Sequence, residues 1–576
     1  MTTLARPPST PRARRSRLLW SLVLVAACLR AAVGFDLADG AHHVELAQRI
    51  AHGDVPFRDE MNVQVLGALP AAPFVWLWEH AVGTTGIVLA SRIWFVLLAA
   101  AVGAVVHRLV RDHVSVGLAA VAVLCALVPQ PYNLVSVSYN TAPGLLLLVG
   151  CAAGASTAVR PRRRRSLLCG AAAAGCALLN PLMILASVLT LVVVVIVGRR
   201  WATVGWVAVG AGAVSVSGLV VLAGFGFGAI GDSIDYTRKY QALRIPPGER
   251  LDFALSYYEG LLANPWVLAA AGCGLLALVP WPRRWVLPLV GRWVRPLLAT
   301  SPLLLVAAVA IRVHDPADGL PDSGMTSGVL GLVLVVLATV PAAVVAAVRR
   351  DRFAGTLLAV SVVPLVAQAP VLAAVTSSSP IWGAPAAAVG PAVLAVAVTL
   401  GRSLGAFGPV WVGLAALLLA SAHAVQPYRD VPPWEARLRT SGPLAGLLTG
   451  DSVAAEAGVV RGAIEACQQP GEGLLTYGAP GAYLFADGPA DTNILWLAPF
   501  GPTNEATVSW LERNDREPVC VLVHRGIATR APSGQWSTRV GGPDPVLDWV
   551  APRYTVLDAE HGRYVVLRRN PPLDLS

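Results

Sequence analysis

Charge is scarce in this chain. Of its 576 residues only 14% are Asp, Glu, Lys or Arg, against roughly 25% in an ordinary soluble domain. Lysine is almost missing: Lys239 stands alone, so arginine carries the positive charge. The net charge of +10 forms no basic stripe. Arginines fall in short clusters between apolar runs, which excludes a nucleic-acid footprint and matches the loops of a membrane protein. No zinc-type cysteine spacing is present. Cys28, Cys125, Cys151, Cys169, Cys176 and Cys273 lie in apolar runs and read as small core residues. Cys467 and Cys520 fall in a polar region; a disulfide between them stays open, because sequence does not give their separation.

What is abundant is apolar sequence. Several stretches reach the roughly 18 residues needed to cross about 30 Å of hydrocarbon, more than one soluble core can hide. The fold class is therefore a polytopic α-helical membrane protein. A basic tail, residues 1–17, precedes the first run, Leu18 to Phe35. That run reads as an uncleaved anchor, because Arg30 interrupts it and no small-x-small cleavage site follows.

Orientation follows from the arginines. With residues 12–17 cytoplasmic, residues 36–83 form a first outer loop. Further spans are predicted near 85–106, 114–129 and 141–159. The stretch 166–198 has arginines at both flanks and breaks at Asn180-Pro181. Two short helices meeting there keep both flanks inside, and Pro181 suits a helix start. Spans near 202–228, 266–280, 297–312, 328–348, 354–374, 382–400 and 405–425 complete about thirteen. A long polar outer loop follows the span that ends near 228. From 426 to 576 the sequence is not membrane-like. GLLTYG, NILWLAP, PVCVLVHR and YVVLRR read as buried strands and TNEATVSWLERN as a helix, so an extracytoplasmic α/β domain is expected.

Chemistry concentrates in the first outer loop, which holds Asp36, Asp39, Glu45, Asp54, Asp59 and Glu60 with His42, His43 and His52. Asp39-Gly40, Ala47, Ile50, Gly53, Pro56-Phe57-Arg58-Asp59 and a later proline resemble the corresponding loop of the GT-C glycosyltransferases, in the branch of the protein mannosyltransferases and aminoarabinose transferases. Ser138-Tyr139-Asn140 resembles that family's second outer loop, and the Asn180-Pro181 hairpin its short helix pair. The family often carries an Asp-Glu pair, whereas Ala38 precedes Asp39 here, so either Asp36 or Asp39 is the working carboxylate, with Asp39 favoured by spacing.

The resemblance implies an inverting transferase at the outer face of the plasma membrane. It would move a sugar from a polyprenyl-phosphate donor to a hydroxyl acceptor on a glycan, lipid or protein. Such a reaction needs a carboxylate for the acceptor's proton and cations for the phosphate. Asp39 is the candidate base, its bland alternative being a helix N-cap. Asp59 is a candidate second carboxylate or metal ligand, or else a turn residue. Arg58, Lys239 and Arg244 are candidates for the phosphate, Tyr139 and Asn140 for substrate, and His42 with His43 for a metal beside Asp39. No cofactor follows from the sequence, and a divalent cation is not required. A transporter or flippase, or a non-catalytic envelope-assembly protein, is the competing expectation.

Overall fold

A computed structural model describes residues 11–198, 200–244, 248, 249, 252, 327–375, 386–425, 427, 430–439, 441–499, 501–531, 535–539 and 544–571. Helix α1 (Pro11–Ala31) leads to α2 (Asp39–Ala51) and α3 (Ala72–Val82) in the first loop. The bundle continues with α4 (Ile87–Val110), α5 (Val116–Leu127), α6 (Ala142–Val159), α7 (Arg163–Leu179), α8 (Ile184–Gly198), α9 (Trp201–Phe225) and α10 (Phe227–Arg244). Beyond the gap come α11 (Ser327–Val348), α12 (Arg352–Val375), α13 (Ala386–Ser403) and α14 (Gly408–Val425). Among the described residues six helical segments are long and apolar enough to cross a membrane, and four shorter apolar helices accompany them. The expected spans at 266–280 and 297–312 lie outside the described residues; the others coincide with helices. Where a long polar loop is expected after residue 228, α10 is helical instead. Ser233 donates from it to the Met61 carbonyl at 2.6 Å, and Tyr236 is buried.

Outward faces of the bundle are apolar. Ile184, Val188, Val192, Val195 and Ile196 on α8 are exposed, as are Val209, Val216, Leu219 and Val220 on α9. A soluble protein rarely leaves such stripes to water, whereas hydrocarbon solvates them. Helix crossings are tight where glycines allow it. A Cβ on Gly170 of α7 would stand 2.0 Å from the Val207 carbonyl oxygen of α9, and one on Gly210 of α9 would stand 2.1 Å from the Leu167 oxygen. Small residues at both crossing points let backbones touch, the usual means of packing helices in lipid.

The hairpin at Asn180-Pro181 is present. Gly154 of α6 faces both Cys169 of α7 and Val194 of α8, so the chain folds back on itself. Its break is satisfied internally. Asn180 accepts from Leu182 N at 3.0 Å, and Gln368 of α12 accepts from Ala186 N and donates to the Leu182 carbonyl. Without those side chains the interrupted backbone would leave unmet groups in an apolar medium.

Residues after α14 form the α/β domain. Its sheet has the order β3 (Leu474–Tyr477), β4 (Cys520–His524), β8 (Tyr564–Arg569), β7 (Tyr554–His561), with β3 parallel to β4 and the remaining pairs antiparallel. Two short antiparallel pairs, β1 (Arg437–Leu438) with β2 (Leu448–Thr449) and β5 (Ala528–Arg530) with β6 (Trp536–Thr538), lie outside it. Helices α15 (Asp451–Cys467), α16 (Glu505–Arg513) and α17 (Pro545–Val550) complete the domain. A disulfide joins Cys467, which ends α15, to Cys520, which opens β4. Three of the four runs read as strands are strands. NILWLAP is not: it is buried but irregular. Its polar backbone groups are engaged elsewhere, with Asn493 O accepting from Met61 N, Leu495 N donating to Glu60, and Leu497 O accepting from Gly478 N. These bonds replace a ladder.

The α/β domain is tied to one end of the bundle. Val33, just after α1, bridges Leu448, with Gly34 N donating to the Leu448 carbonyl at 2.8 Å. Asp430 accepts from Phe35 N and Gly450 N. Arg92 of α4, 9% exposed, donates to the carbonyls of Ala31, Val33 and Gly34.

Candidate functional site

The first loop folds between the bundle and the α/β domain. Asp36 is buried and accepts from Ala38 N at 2.9 Å and Gly40 N at 3.0 Å. It therefore satisfies the opening amides of α2 from three residues before the helix. The residue at the cap position, Ala38, has no side-chain bond to give. Asp39 is the first helical residue, half-buried. The expected alternative role of Asp39 as N-cap is thus corrected: that task belongs to Asp36. An acidic residue in the first turn still gains from the helix dipole.

Asp39 shares a helix face with the residues three and four positions on, which are His42 and His43. Both rings are 2% exposed. Their centroids are 5.8 Å apart. Tyr139 stands edge-on to His43 at 5.0 Å and to His42 at 6.4 Å, and Trp496 of the α/β domain is edge-on to His42 at 5.6 Å. The charge of Asp39 reaches both His42 and Tyr139, and Tyr139 lies within range of Tyr132 and Tyr240 as well. A carboxylate thus opens a cage of aromatic rings where three parts of the chain meet. Burial pushes both imidazoles down to about 3, helped at His42 by the neighbouring His43. Burial also drives the Tyr139 phenol upward, reinforced by the Asp39 charge. At neutral pH the histidines are uncharged and Tyr139 keeps its proton.

Tyr139 is fixed by its backbone. Its carbonyl accepts from Asn180 Nδ2 at 2.9 Å, so the hairpin apex holds the site. Gly67 allows the closest approach: a Cβ there would lie 2.3 Å from the Tyr139 Cα. Asn140, half-buried, belongs to the turn that enters α6, its amide donating to Ser138 Oγ. Just upstream, Tyr132 and Asn133 both have φ of +54°, a left-handed conformation that costs of order 1–3 kcal/mol each in non-glycine residues. Asn133 is held there by Ser327, whose N and Oγ donate to its Oδ1 at 2.8 and 2.7 Å.

Behind the cage sits a buried ionic hub that sequence reading missed. Arg49, one face of α2 further on, bonds Asp54, Glu60 at 3.0 Å, the Asp59 carbonyl and the Thr492 carbonyl at 2.7 Å. Glu60 accepts in addition from Leu495 N at 3.0 Å and Asn62 N at 3.2 Å. Burial raises its carboxyl to about 7 against the pull of Arg49. Glu45, fully buried, accepts from Leu484 N at 3.1 Å, and burial drives its carboxyl well up. The hub clamps the segment that carries Trp496. Its only sequence signal was the acidic richness of the loop.

The other sequence candidates make local contacts of their own. Asp59 Oδ2 accepts from Val55 N at 2.8 Å and pairs with Arg58 at 2.9 Å, so it closes the turn around Pro56, with Phe57 in a left-handed conformation. Arg58 is 59% exposed. Lys239 is exposed on α10 and pairs with Asp235 at 2.7 Å, as Arg238 does at 3.2 Å. Arg244 ends α10, and its side chain lies outside the described residues. No group of three or more His, Cys, Asp or Glu among the described residues is placed to hold a metal, so Asp39, His42 and His43 are not gathered as ligands.

No family model and no curated protein matches the chain. Among solved structures it is similar to the crystal structure of ArnT from Cupriavidus metallidurans bound to undecaprenyl phosphate, at 13% identity and a TM-score of 0.38, over 96% of this chain and 98% of that one.

Proposed function

We propose that the protein is an inverting glycosyltransferase of the membrane surface. It takes a sugar from a polyprenyl-phosphate carrier and gives it to a hydroxyl acceptor on the outer face of the plasma membrane, with its N-terminus cytoplasmic and its α/β domain outside. The observation that carries this reading is Asp39: a half-buried carboxylate whose helix is capped by another residue and whose charge reaches a cluster of buried aromatic rings at one end of an apolar bundle.

The roles follow from the chemistry. Asp39 accepts the proton of the acceptor hydroxyl as that oxygen bonds to the anomeric carbon. The bond from that carbon to the phosphate oxygen breaks on the opposite face, so configuration inverts and polyprenyl phosphate leaves. Arg58, Lys239 and Arg244 are the candidates for holding the departing phosphate, the first two being exposed cations already balanced by a neighbouring carboxylate, which a doubly charged phosphate can displace. Asp59 supports Arg58 rather than acting as a second base. Tyr139 and Asn140 are the candidates for contacting substrate. Exposed apolar faces on α8 and α9 offer the lipid tail a surface continuous with the bilayer.

The test is transfer by purified protein in lipid nanodiscs, with radiolabelled polyprenyl-phosphate mannose and arabinose as donors and a membrane glycolipid extract as acceptor. Turnover that falls about 100- to 10,000-fold in Asp39→Asn supports the assignment. Undiminished transfer by that variant overturns it.

A further inference from the structure

His43, like His42, is 2% exposed. Neither its Nδ1 nor its Nε2 has a hydrogen-bond partner among the described residues, and the Nδ1 of His42 is in the same state. A buried nitrogen left unmet costs about 1–3 kcal/mol. Three within neighbouring residues of one helix are uncommon in a folded chain. They are not spare metal ligands, since among the described residues no ligand cluster forms around them. Their surroundings are flat and apolar: Tyr139 lies edge-on to both rings and Trp496 to His42.

Charge decides what such nitrogens recognise. Burial keeps both imidazoles neutral far below pH 7, and a neutral imidazole offers one donor and one acceptor. A phosphate brings acceptors only, so the lone pair of each ring would face an anion. An ammonium brings donors only, so the N–H of each ring would face a cation. A hydroxyl both donates and accepts, and adjacent hydroxyls on a sugar ring match two such rings side by side. Aromatic rings around them suit the apolar C–H face of the same sugar.

We infer that His42 and His43, backed by Tyr139 and Trp496, form the subsite that reads the hydroxyls of an uncharged sugar ring. The inference deepens the glycosyltransferase reading and rests on it. It assigns a substrate class, a neutral hexosyl or pentosyl unit rather than an amino or acidic sugar. His43 acts as the specificity-determining residue and Asp39 stays the base.

The experiment uses the full chain in nanodiscs with 15N-labelled histidine, and the probes are methyl α-mannopyranoside, methyl glucosaminide and inorganic phosphate. Imidazole resonances assigned by His42→Phe and His43→Phe should move with the mannoside and not with the other two. His43→Phe should weaken that binding at least about tenfold, and His43→Gln, which restores a donor and an acceptor, should recover part of it. Movement with the amino sugar or phosphate alone overturns the inference. So does an absence of movement with every probe, which would mean that water alone meets these nitrogens. Two readouts separate this inference from the function it rests on. If transfer needs Asp39 but His43→Phe leaves donor KM and donor choice unchanged, the subsite is wrong and the transferase reading stands. If the mannoside binds through His43 while Asp39→Asn transfers at the full rate, the subsite stands and the assignment of the base falls.

Discussion

Arg49 donates to the carbonyl of Thr492 at 2.7 Å, joining the first loop to a segment 443 residues further along the chain. The same guanidinium holds Glu60, which in turn accepts from Leu495 N. One side chain therefore sets where Trp496 stands over His42.

Replacing Arg49 by Met is expected to break this junction. Glu60 is 2% exposed at its side chain, and a buried carboxylate left without its partner typically costs about 3–5 kcal/mol. The thermal midpoint should fall sharply, and hydrogen exchange at Met61 and Leu495 should speed up well before the bundle unfolds. Unchanged exchange at both amides would show that the contact is ornamental.

Acid should act on two parts of the site with opposite signs. His43 is depressed to about 3 in the fold and titrates near 6.5 when unfolded. Between those values the unfolded chain binds the extra proton, so stability falls as pH drops below about 6.5. Lowering pH from 7 to 5 costs about 2 kcal/mol for such a histidine. Glu60 is raised to about 7 from 4.5. There the folded chain binds the extra proton, so stability rises as pH drops through that window. Lowering pH from 7 to 5 should therefore shift the thermal midpoint in the stabilising direction in His43→Phe relative to the wild type, and in the destabilising direction in Glu60→Gln. Parallel behaviour of the two variants would refute the assignment.

The disulfide gives a third expectation. Cys467 and Cys520 are 53 residues apart in sequence with Cα atoms 5.5 Å apart. Closing a loop of that length removes about 4 kcal/mol of chain entropy from the unfolded domain in the entropic account. Cys467→Ser with Cys520→Ser should loosen the α/β domain, seen as earlier protease cleavage there, while the bundle keeps its helix signal. A bond that persists in the native protein also implies an oxidising compartment. Cysteines placed at Ser9 and at exposed Ser509 should consequently label from opposite sides of the membrane. Labelling from one side would remove the odd number of spans.

These relationships mark what the sequence could and could not disclose. The hairpin was legible because Asn180-Pro181 breaks an apolar run that has arginines at both flanks. The long apolar helices among the described residues were legible because hydrocarbon sets the length of such runs. The α/β domain was legible in β3, β4 and β8, whose runs alternate with helices. Trp496 was not. Its run has the composition of a strand, but side chains from the first loop hold its backbone, and composition carries no trace of a partner more than four hundred residues away. Cysteine pairing was hidden for the same reason. Arg49 carried no signal of its own in the sequence, since burial is a property of the whole fold. His42 and His43 were visible as histidines but not as buried ones, because enclosure comes from the packing of distant segments.

The division of labour between Asp36 and Asp39 supports the last prediction. Asp36 accepts from two amides at the start of α2, and its charge lies within range of Arg92. Asp36→Ala strips the helix of its capping acceptor and should cost about 1–2 kcal/mol, the usual loss at such a position. It should lower activity only in proportion to the protein lost. Asp39→Asn keeps size and polarity where no capping bond is needed, so the thermal midpoint should stay within about a degree or two of the wild type, the scale of an ordinary surface change. Transfer should nevertheless fall by about 100- to 10,000-fold, as expected for a missing general base. Measuring both quantities on both variants separates stability from chemistry. If Asp36→Asn, which retains an acceptor oxygen for the helix, abolishes transfer in well-folded protein while Asp39→Asn does not, the working carboxylate is Asp36 and the catalytic centre lies at the junction with Arg92. If neither substitution changes turnover, the first loop is a structural tie between bundle and α/β domain, and the base has to be sought elsewhere in the chain.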